Sequence, residues 1–338
     1  MAVPPAVDLR SDTVTRPTPA MRAAMADAEV GDDGFGDDPT VNRLQAAYAT
    51  LTGKDAALFV PSGTMANQIA LRVLAPPGSL VVAGRRQHVV THEGGAFGVN
   101  QVAQLHVLDD DDGTLDATAI ARLVAGAAHR WPPPGAVCAE NTHLASGGRS
   151  WPLDRLRAVA DVGVPVHLDG ARLFNASVAT GVAVASYAAH STLVTSCLSK
   201  GLGAPVGSLL AGPADLIDRA RWERKRLGGG MRQVGIVAAA GLVALDTMID
   251  RLADDHVRAR RLAEAVAERW PDAGCDPAAV ETNVVLFDHG DPEALLDWLA
   301  GEGIGAVTLG PGRVRLMTHA DIDDGALERA VAAIRRAP

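Results

Sequence analysis

One lysine stands out because of the small residues that surround it. Lys200 follows an apolar segment at residues 193–198 and precedes Gly-Leu-Gly-Ala-Pro-Val-Gly-Ser at residues 201–208. Small side chains leave space for a flat group beside the lysine amine. A lysine amine in a packed, partly dry pocket acts as a nucleophile toward a carbonyl carbon. Taken alone, the pattern favours a solvated lysine at a strand end, because most lysines are solvated.

A second candidate group is the carboxylate of Asp169. It ends an apolar segment that begins at Val164, and Arg172 follows three positions later. In open α/β sheets, ligands bind beyond the carboxyl ends of the strands. A carboxylate at such a position can hold a protonated ring nitrogen. An Asx turn at the end of the strand is the simpler alternative.

A third candidate is the tripeptide Ser62-Gly63-Thr64, which lies between a predicted strand and an apolar helical pattern. Free backbone N–H groups and a hydroxyl at a helix N-terminus bind phosphate, although such a tripeptide is often only a helix cap. The three features occur in the order phosphate site, carboxylate, lysine. Together they fit pyridoxal phosphate (PLP), whose aldehyde reacts with a lysine amine and whose protonated ring accepts electrons.

The elements that must position these groups alternate between strands and helices. We predict strands near Leu58 and over residues 80–83, 105–108, 136–140, 164–168, 193–198 and 208–211. Continuous apolar runs are typical of strands that are buried on both faces. The pattern therefore predicts an α/β fold with a mainly parallel, seven-stranded sheet covered by helices.

A smaller unit follows the sheet. Residues 231–270 predict a long connected helix that bends near residues 246–254. Beyond it the pattern predicts strands over 282–287, 306–309 and 313–317, with helices over 292–302 and 323–336. We expect a large domain with an N-terminal arm over residues 1–245 and a small α+β domain over residues 246–338.

Composition limits the classes of partner. The chain has 338 residues, of which 48% are hydrophobic, and its formal net charge is -9. This charge argues against nucleic acid or an anionic membrane as a partner. Three scattered cysteines predict neither a disulfide framework nor a zinc site. The first residues show no secretory signal, and the longest apolar run is shorter than a membrane span. We therefore expect a cytoplasmic enzyme without a metal.

Motifs from both ends of the chain occur together in one family. The sequence resembles the low-specificity L-threonine aldolase family of PLP enzymes, which has fold type I, that of aspartate aminotransferase. The resemblance covers nearly the whole chain and implies a PLP-dependent transferase-like large domain. The motifs are Asp-Leu-Arg-Ser-Asp-Thr-Val-Thr (8–15), Gly-Asp-Asp-Pro-Thr (36–40), Ser-Gly-Thr-Met-Ala-Asn (62–67), Glu-Asn-Thr-His (140–143), His-Leu-Asp-Gly-Ala-Arg (167–172), Ser-Lys-Gly-Leu-Gly-Ala-Pro-Val-Gly-Ser (199–208), Gly-Gly-Gly-Met-Arg-Gln (228–233) and Arg-Leu-Met-Thr-His (315–319).

The resemblance implies a role for each residue of the cofactor site. Lys200 would hold PLP as a Schiff base, and Asp169 would bind the pyridinium nitrogen. Gly63 and Thr64, with Ser62, would bind the phosphate, and His88 would lie over the ring. Further residues expected at the cofactor are Arg172 and Ser196, together with Lys225 and Arg232 from a neighbouring subunit.

The resemblance also implies the substrate site. Ser11, Arg172 and Arg315 would bind the substrate carboxylate, because a guanidinium fork holds a carboxylate bidentately. His143 would lie near the substrate hydroxyl and take its proton, directly or through water. Lys200, His88 and His143 are thus the expected catalytic residues. Arg313 is a competing candidate, but Arg315 directly precedes the Leu-Met-Thr-His motif.

The expected reaction is the retro-aldol cleavage of L-threonine or L-allo-threonine into glycine and an aldehyde. The expected assembly is a homodimer or homotetramer with shared active sites. The sequence departs from the family at Phe35, where a tyrosine is usual, and at His92, where an aromatic ring is usual. We expect His88 rather than His92 to lie over the cofactor.

Other interpretations remain open. A β-eliminating lyase or an amino-acid racemase on the same fold would use the same cofactor residues. A binding or regulatory module that lost catalysis would be colourless when purified, but the intact Lys200, Asp169 and Arg172 argue against it. A nucleotide-binding protein is suggested by Gly201-Leu-Gly203. That segment, however, lacks the spacing and the acidic partner of a dinucleotide site.

Overall fold

The computed structural model describes residues 5–338. We predicted no secretory signal in the first residues; of these, residues 1–4 lie outside the described part. The strands are β1 (Val7–Asp8), β2 (Ala56–Val60), β3 (Leu80–Gly84), β4 (Gln104–Leu108), β5 (Pro134–Glu140), β6 (Val166–Asp169), β7 (Leu193–Cys197), β8 (Ser208–Gly212), β9 (Val284–Asp288), β10 (Ile304–Gly305), β11 (Val307–Thr308) and β12 (Arg313–Met317).

The helices alternate with these strands along the chain. They are α1 (Pro19–Ala26), α2 (Pro39–Thr52), α3 (Gly63–Leu74), α4 (His88–Thr91), α5 (Ala96–Asn100), α6 (Ala117–Ala127), α7 (Leu153–Ala160), α8 (Leu173–Thr180), α9 (Val184–Ala188), α10 (Ala214–Arg226), α11 (Gly235–Thr247), α12 (Leu252–Arg269), α13 (Pro292–Gly301) and α14 (Asp324–Arg336). Short 3-10 helices lie at Asp12–Val14, Leu144–Ser146 and Pro277–Ala279.

Seven strands of the described chain form one sheet, in the order β2-β8-β7-β6-β5-β3-β4. Strands β4, β3, β5, β6 and β7 pair in parallel, whereas β8 is antiparallel to both β7 and β2. Because two antiparallel steps restore the original direction, β2 runs the same way as the parallel strands. The carboxyl ends of β2, β3, β5, β6 and β7 therefore meet at one edge of the sheet. The predicted mainly parallel sheet is confirmed.

Both faces of this sheet are covered by helices. Every residue of β3, β7 and β8 is buried, as continuous apolar runs predict. Side chains alternate between the faces: Val82 joins the core that includes α2, α8 and α11, whereas Val81 and Ala83 join the core that includes α3 and α10.

A second hydrophobic core occupies the C-terminal part of the chain. Buried side chains of α12, α13 and α14 pack there against the antiparallel sheet β11-β12-β9. The connecting helical region is interrupted between α11 and α12, where we predicted a bend, and residues 231–234 are not part of the helix. Among residues 5–338, no helix has both the length and the apolar composition that crossing a membrane requires.

The N-terminal arm packs against this C-terminal part. Strand β1 pairs in parallel with β10. The backbone N–H of Met317 donates to the carbonyl of Leu9 at 2.9 Å, and the guanidinium of Arg315 donates to the carbonyl of Arg10 at 2.8 Å. These contacts fix the position of the segment that follows, which contains Ser11 and Asp12.

Candidate active site

Lys200 lies in the tight loop that joins β7 to β8. The N–H of Leu198 donates to the carbonyl of Gly207 at 3.0 Å, so the loop folds back on itself. Gly207 has a φ of +112°, and a Cβ there would approach the ring of Phe59 to 2.4 Å, so only glycine fits. The lysine side chain is half-buried. It lies close enough to Asp12 and His88 for its charge to influence the pKa of both groups.

Asp169 ends β6 and is buried at the same edge of the sheet. Its Oδ1 accepts a hydrogen bond from the N–H of Ala171 at 3.1 Å, and its Oδ2 accepts one from the Asn67 amide at 2.7 Å. The Oδ1 of Asn67 in turn accepts from Nε2 of His167 at 2.8 Å. The carboxylate is therefore fixed in direction, and its remaining lone pairs are free for a ligand.

The Ser62-Gly63-Thr64 segment forms the N-terminus of α3, directly after β2. The Oγ of Ser62 caps the helix by accepting from the N–H of Met65 at 3.2 Å. The side chain of Cys197 packs close to Gly63. A Cβ at position 63 would lie only 2.9 Å from Sγ of Cys197. The N–H groups of Gly63 and Thr64 belong to the first turn, where no intrahelical acceptor exists. This arrangement can bind a phosphate.

His88 is anchored by a buried carboxylate. Its Nδ1 lies 3.0 Å from Oε1 of Glu93, and the side chains are 29% and 1% exposed, respectively. Burial lowers the pKa of His88, but its hydrogen bond to Glu93 and the charge of Asp169 outweigh this effect, so the pKa is raised. His92 stacks on His88 with ring centroids 5.7 Å apart. His92 is largely exposed, but part of its ring faces the protein and has lost contact with water. This desolvation, together with the charge of His88, lowers the pKa of His92.

Arg172 is bound by a second buried carboxylate. Its Nε donates to Oδ2 of Asp12 at 2.7 Å, and its Nη2 donates to Oδ1 at 2.6 Å. Asn283 donates to the same Oδ2 at 3.2 Å. Burial opposes ionisation of Asp12, but the charge and hydrogen bonds of Arg172 prevail and lower its pKa to about 2. We expected this fork to bind the substrate; the structure pairs it with Asp12, which leaves Nη1 for a ligand.

Arg315 approaches Arg172 from β12. Burial and the charge of Arg172 lower the pKa of Arg315, and its buried Nε has no hydrogen-bond partner among the described residues. Two guanidinium groups thus lie close together with donors free, which favours an anion between them. Ser11 is half-buried, and its Oγ accepts from the N–H and Oγ1 of Thr13. Arg313 instead pairs with Asp288 through two hydrogen bonds.

His143 lies after β5 but is fully buried. Its Nε2 is 3.0 Å from Oδ2 of Asp110, and its Nδ1 is 3.0 Å from Oγ of Ser146. Burial raises the pKa of Asp110, but the hydrogen bonds from His143 and Arg86 outweigh it, so the pKa is lowered. Because both ring nitrogens are occupied, this arrangement leaves none for a substrate hydroxyl. A strand-end histidine in the sequence does not reveal which way its ring turns.

Ser196 is also directed into the core. The residue is fully buried, and its Oγ accepts from the hydroxyl of Tyr48 at 2.8 Å. Burial raises the pKa of Tyr48 above its ordinary value, so the phenol stays protonated and donates. Ser196 therefore ties α2 to β7 beneath the loop of Lys200.

Lys225 and Arg232 lie on the surface of the protein. Both are exposed and line a surface pocket of about 680 Å³ together with Trp222 and Gly34. Within residues 5–338, neither forms a hydrogen bond or close ion pair with the residues around Lys200; the nearest acid to Arg232 is Asp32, at 3.9 Å.

Two neighbouring arginines bind within the protein, whereas Phe35 is exposed to solvent. Arg224 is buried and donates to the carbonyl of Phe59 and to Asp33, and Arg219 donates to the carbonyl of Val73. These two arginines are structural. Phe35 is 82% exposed. An apolar ring therefore stands in solvent on the loop that Arg224 holds.

Three buried residues of the site were not singled out from the sequence. Asp12, Asn67 and Glu93 each hold a predicted site residue in place, namely Arg172, Asp169 and His88. Asp12 and Asn67 lie inside recognised motifs, and Glu93 lies five residues after His88. Their positions in or near the motifs could have drawn attention to these three residues. The sequence does not show which side chain each of them binds, because that depends on how the chain folds.

Comparisons with known proteins agree with this arrangement. A sequence profile of the family described as beta-eliminating lyase matches residues 8–289. Low-specificity L-threonine aldolase 1 of Arabidopsis thaliana is 43% identical over 331 residues, covering 94% of this chain and 92% of that protein. The chain belongs to the low-specificity L-threonine aldolase family.

Further comparisons extend this assignment. Low specificity L-threonine aldolase of Escherichia coli (strain K12) is 41% identical over 324 residues, covering 94% of each chain. The structure of a Leishmania major threonine aldolase superposes with a TM-score of 0.82 at 21% identity, covering 97% of this chain and 98% of that one. The predicted family and fold are confirmed, and the protein is an enzyme of the lyase class.

Proposed function

We propose that the protein is a PLP-dependent aldolase. It cleaves the Cα–Cβ bond of L-threonine or L-allo-threonine and releases glycine and acetaldehyde. The observation that carries the proposal is the meeting of Lys200, Asp169 and the N-terminus of α3 at one sheet edge, with two guanidinium groups beside them. Membership of the low-specificity L-threonine aldolase family supports the substrate class.

The residues present fit the cofactor. Lys200 has an amine without a hydrogen-bond partner in the described chain, and Asp169 has lone pairs free beside its bonds to Asn67 and Ala171. The first turn of α3 supplies unpaired N–H groups for a phosphate. When bound, PLP supplies an electron sink that stabilises negative charge on Cα. Lys200 would hold it covalently, and Asp169 would keep its ring nitrogen protonated.

The substrate carboxylate would bind to Nη1 of Arg172 and Nε of Arg315. Both donors are available after the contacts with Asp12 and with the carbonyl of Arg10 are counted. The hydroxyl of Ser11 would add a third donor. Holding the carboxylate fixes the direction of the Cα–Cβ bond, so these residues select the bond that breaks.

The substrate hydroxyl must lose its proton as the bond opens. We propose that Nε2 of His88 takes it, directly or through a water, because Nδ1 is held by Glu93 and the ring is partly exposed toward the site. His143 would act indirectly, through its bond to Asp110, rather than as the base. His88 would also pack over the cofactor ring.

We further propose that the enzyme works as a homo-oligomer with shared sites. Lys225 and Arg232 are exposed and line one pocket with Trp222 and Gly34, and the rings of Trp222 and of Phe35, the residue after Gly34, are exposed. Exposed aromatic side chains beside basic groups favour a protein interface. The two cations would then reach the cofactor phosphate of the neighbouring subunit. The domain boundary after residue 245 and the cytoplasmic location remain predictions.

The test is an assay of the purified protein with L-threonine and with L-allo-threonine, measuring acetaldehyde and glycine. We expect a yellow protein that forms both products, and a colourless, inactive Lys200→Ala variant. Borohydride reduction should attach the cofactor to the peptide that contains Lys200. Ammonia and a 2-oxo acid in place of glycine would instead indicate a β-eliminating lyase, and label on another peptide would contradict the role of Lys200.

A further inference from the structure

The carboxylate of Glu93 is the centre of a buried hydrogen-bond network. It lies in the short segment between α4 and α5, and its side chain is only 1% exposed. Its Oε1 accepts from the amide of Asn67 at 2.7 Å and faces Nδ1 of His88 at 3.0 Å; its Oε2 accepts from the amide of Gln68 at 2.7 Å. A buried carboxylate is tolerated only when donors surround it in this way.

Asn67 connects this carboxylate to the one at the base of the site. Its amide nitrogen donates at 2.7 Å to Glu93 and at 2.7 Å to Asp169, so both of its hydrogens are used. Its oxygen accepts from His167, which fixes the orientation of the amide. Polar atoms of His88, Glu93 and Asp169 all lie within 4.8 Å of one another. A single amide therefore bridges the two carboxylates, and its two hydrogen bonds offset part of the repulsion between them.

His88 depends on Glu93 for its orientation. Among the described residues, no other side chain forms a hydrogen bond with its ring; His92 only stacks on it. The backbone N–H of His88 is held separately, by Oε2 of Glu140 at 2.6 Å. The charged groups around the ring are Glu93, Asp169 and Lys200. The direction of Nε2 is therefore set by the contact at Nδ1.

We propose that Glu93 is a positioning residue that sets two contacts of the cofactor at once: it orients the ring of His88, and through Asn67 it orients the carboxylate of Asp169. The cofactor's place in this proposal rests on the proposed function. The network itself is a property of the chain alone, so it can be tested without substrate.

Glutamine cannot replace Glu93, although it has nearly the same shape. Three N–H donors, from Asn67, His88 and Gln68, converge on the two carboxylate oxygens. A glutamine offers one oxygen and one NH₂ group, so at least one donor would face another donor. We expect Glu93→Gln to release the ring of His88 and to loosen Asn67.

The test uses NMR of the cofactor-free protein labelled with ¹⁵N in histidine, together with titration by PLP. In the wild type we expect a neutral His88 ring protonated at Nδ1. In Glu93→Gln we expect that tautomer preference to disappear, the pKa of His88 to fall by about one pH unit, and the affinity for PLP to fall roughly tenfold. Asp255→Asn makes the same chemical change in a buried carboxylate that pairs with Arg251 outside the site and should leave His88 and PLP affinity unchanged.

Two results would overturn the proposal. One is a folded Glu93→Gln protein with the His88 signals and PLP affinity of the wild type. If that variant does not fold, the wild type decides, because a neutral His88 protonated at Nε2 cannot donate to Glu93. Neither readout requires aldol cleavage. An intact network in a protein that forms no acetaldehyde would therefore refute the proposed function and not the role of Glu93.

Discussion

Asp12 and Arg172 are joined by two parallel hydrogen bonds of 2.7 and 2.6 Å, although 160 residues separate them in the chain. Asp12 is fully buried and Arg172 is 6% exposed. A buried pair of this geometry holds each partner in one orientation. The N-terminal arm thus determines which edge of the Arg172 guanidinium faces the substrate.

The substitution Arg172→Lys should not be conservative. Lysine keeps the charge, but its donors share one nitrogen and cannot reproduce the planar fork that binds both oxygens of Asp12 and presents Nη1 to the substrate. Loss of one charge-assisted contact costs about 1.5–3 kcal/mol, or roughly ten- to a hundredfold in kcat/KM for L-threonine. PLP should remain bound. Arg313→Lys alters a more exposed pair with Asp288 and should have little effect; an Arg172→Lys enzyme of unchanged efficiency would refute the role.

The stability contributed by Asp12 should depend on pH. Its pKa is lowered from 3.8 to about 2 in the folded protein, which corresponds to about 2 kcal/mol of stabilisation when the group is ionised. This contribution is present above pH 4 and is lost as the pH falls toward 2. Urea unfolding should therefore show Asp12→Asn to be less stable than the wild type at pH 7, with the difference shrinking below pH 4.

The control for this experiment is Asp288→Asn, which removes an exposed partner of Arg313 and should have a small effect at every pH. A stability difference for Asp12→Asn that stays constant between pH 7 and pH 3 would contradict the ion pair.

The pH dependence of kcat/KM should report His88. The pKa of His88 is raised above its ordinary value of 6.5, and a base must be neutral to accept a proton. We expect kcat/KM to fall as the pH drops through this raised value, and His88→Asn to lose that acidic limb. His92→Asn should keep the limb, because the ring of His92 is exposed and has no carboxylate partner among residues 5–338. An unchanged limb in His88→Asn would assign the proton transfer to another group.

Mixed oligomers should reveal whether sites are shared. Arg232→Ala and Lys200→Ala proteins should each be weak or inactive. Hybrid dimers should regain activity, because one of their two sites combines an intact Lys200 with an intact Arg232 from the other chain. Arg226→Ala, which removes an exposed arginine paired with Glu223, should retain activity alone. Verified subunit exchange without recovery would show that Arg232 serves its own subunit.

Strand positions could be predicted from the sequence because buried parallel strands are continuous apolar runs. That prediction was sufficient to bring Ser62, Asp169 and Lys200 to one edge, since each ends or follows a strand of the same direction. Periodicity carries no information about which polar groups pair. Asn67 meets Asp169 across 102 residues, and Asp12 meets Arg172 across 160. Contacts of this kind are decided by packing.

The side chains of His143 and Ser196 illustrate the same limit at the level of single residues. Both residues follow or end strands at the site edge, as expected. The structure turns His143 toward Asp110 and Ser196 toward Tyr48, because buried polar atoms must find partners inside the protein. A motif therefore locates a residue more reliably than it locates the atoms that react.

The pairing of β1 with β10 has a consequence for biosynthesis. The segment that carries Ser11 and Asp12 is synthesised well before its anchors at Ile304, Arg315 and Met317. A nascent chain on the ribosome can therefore assemble the sheet early but not the arm, because contacts between distant segments form late. The substrate site is complete only after β10 and β12 have emerged from the ribosome and the arm has packed against them.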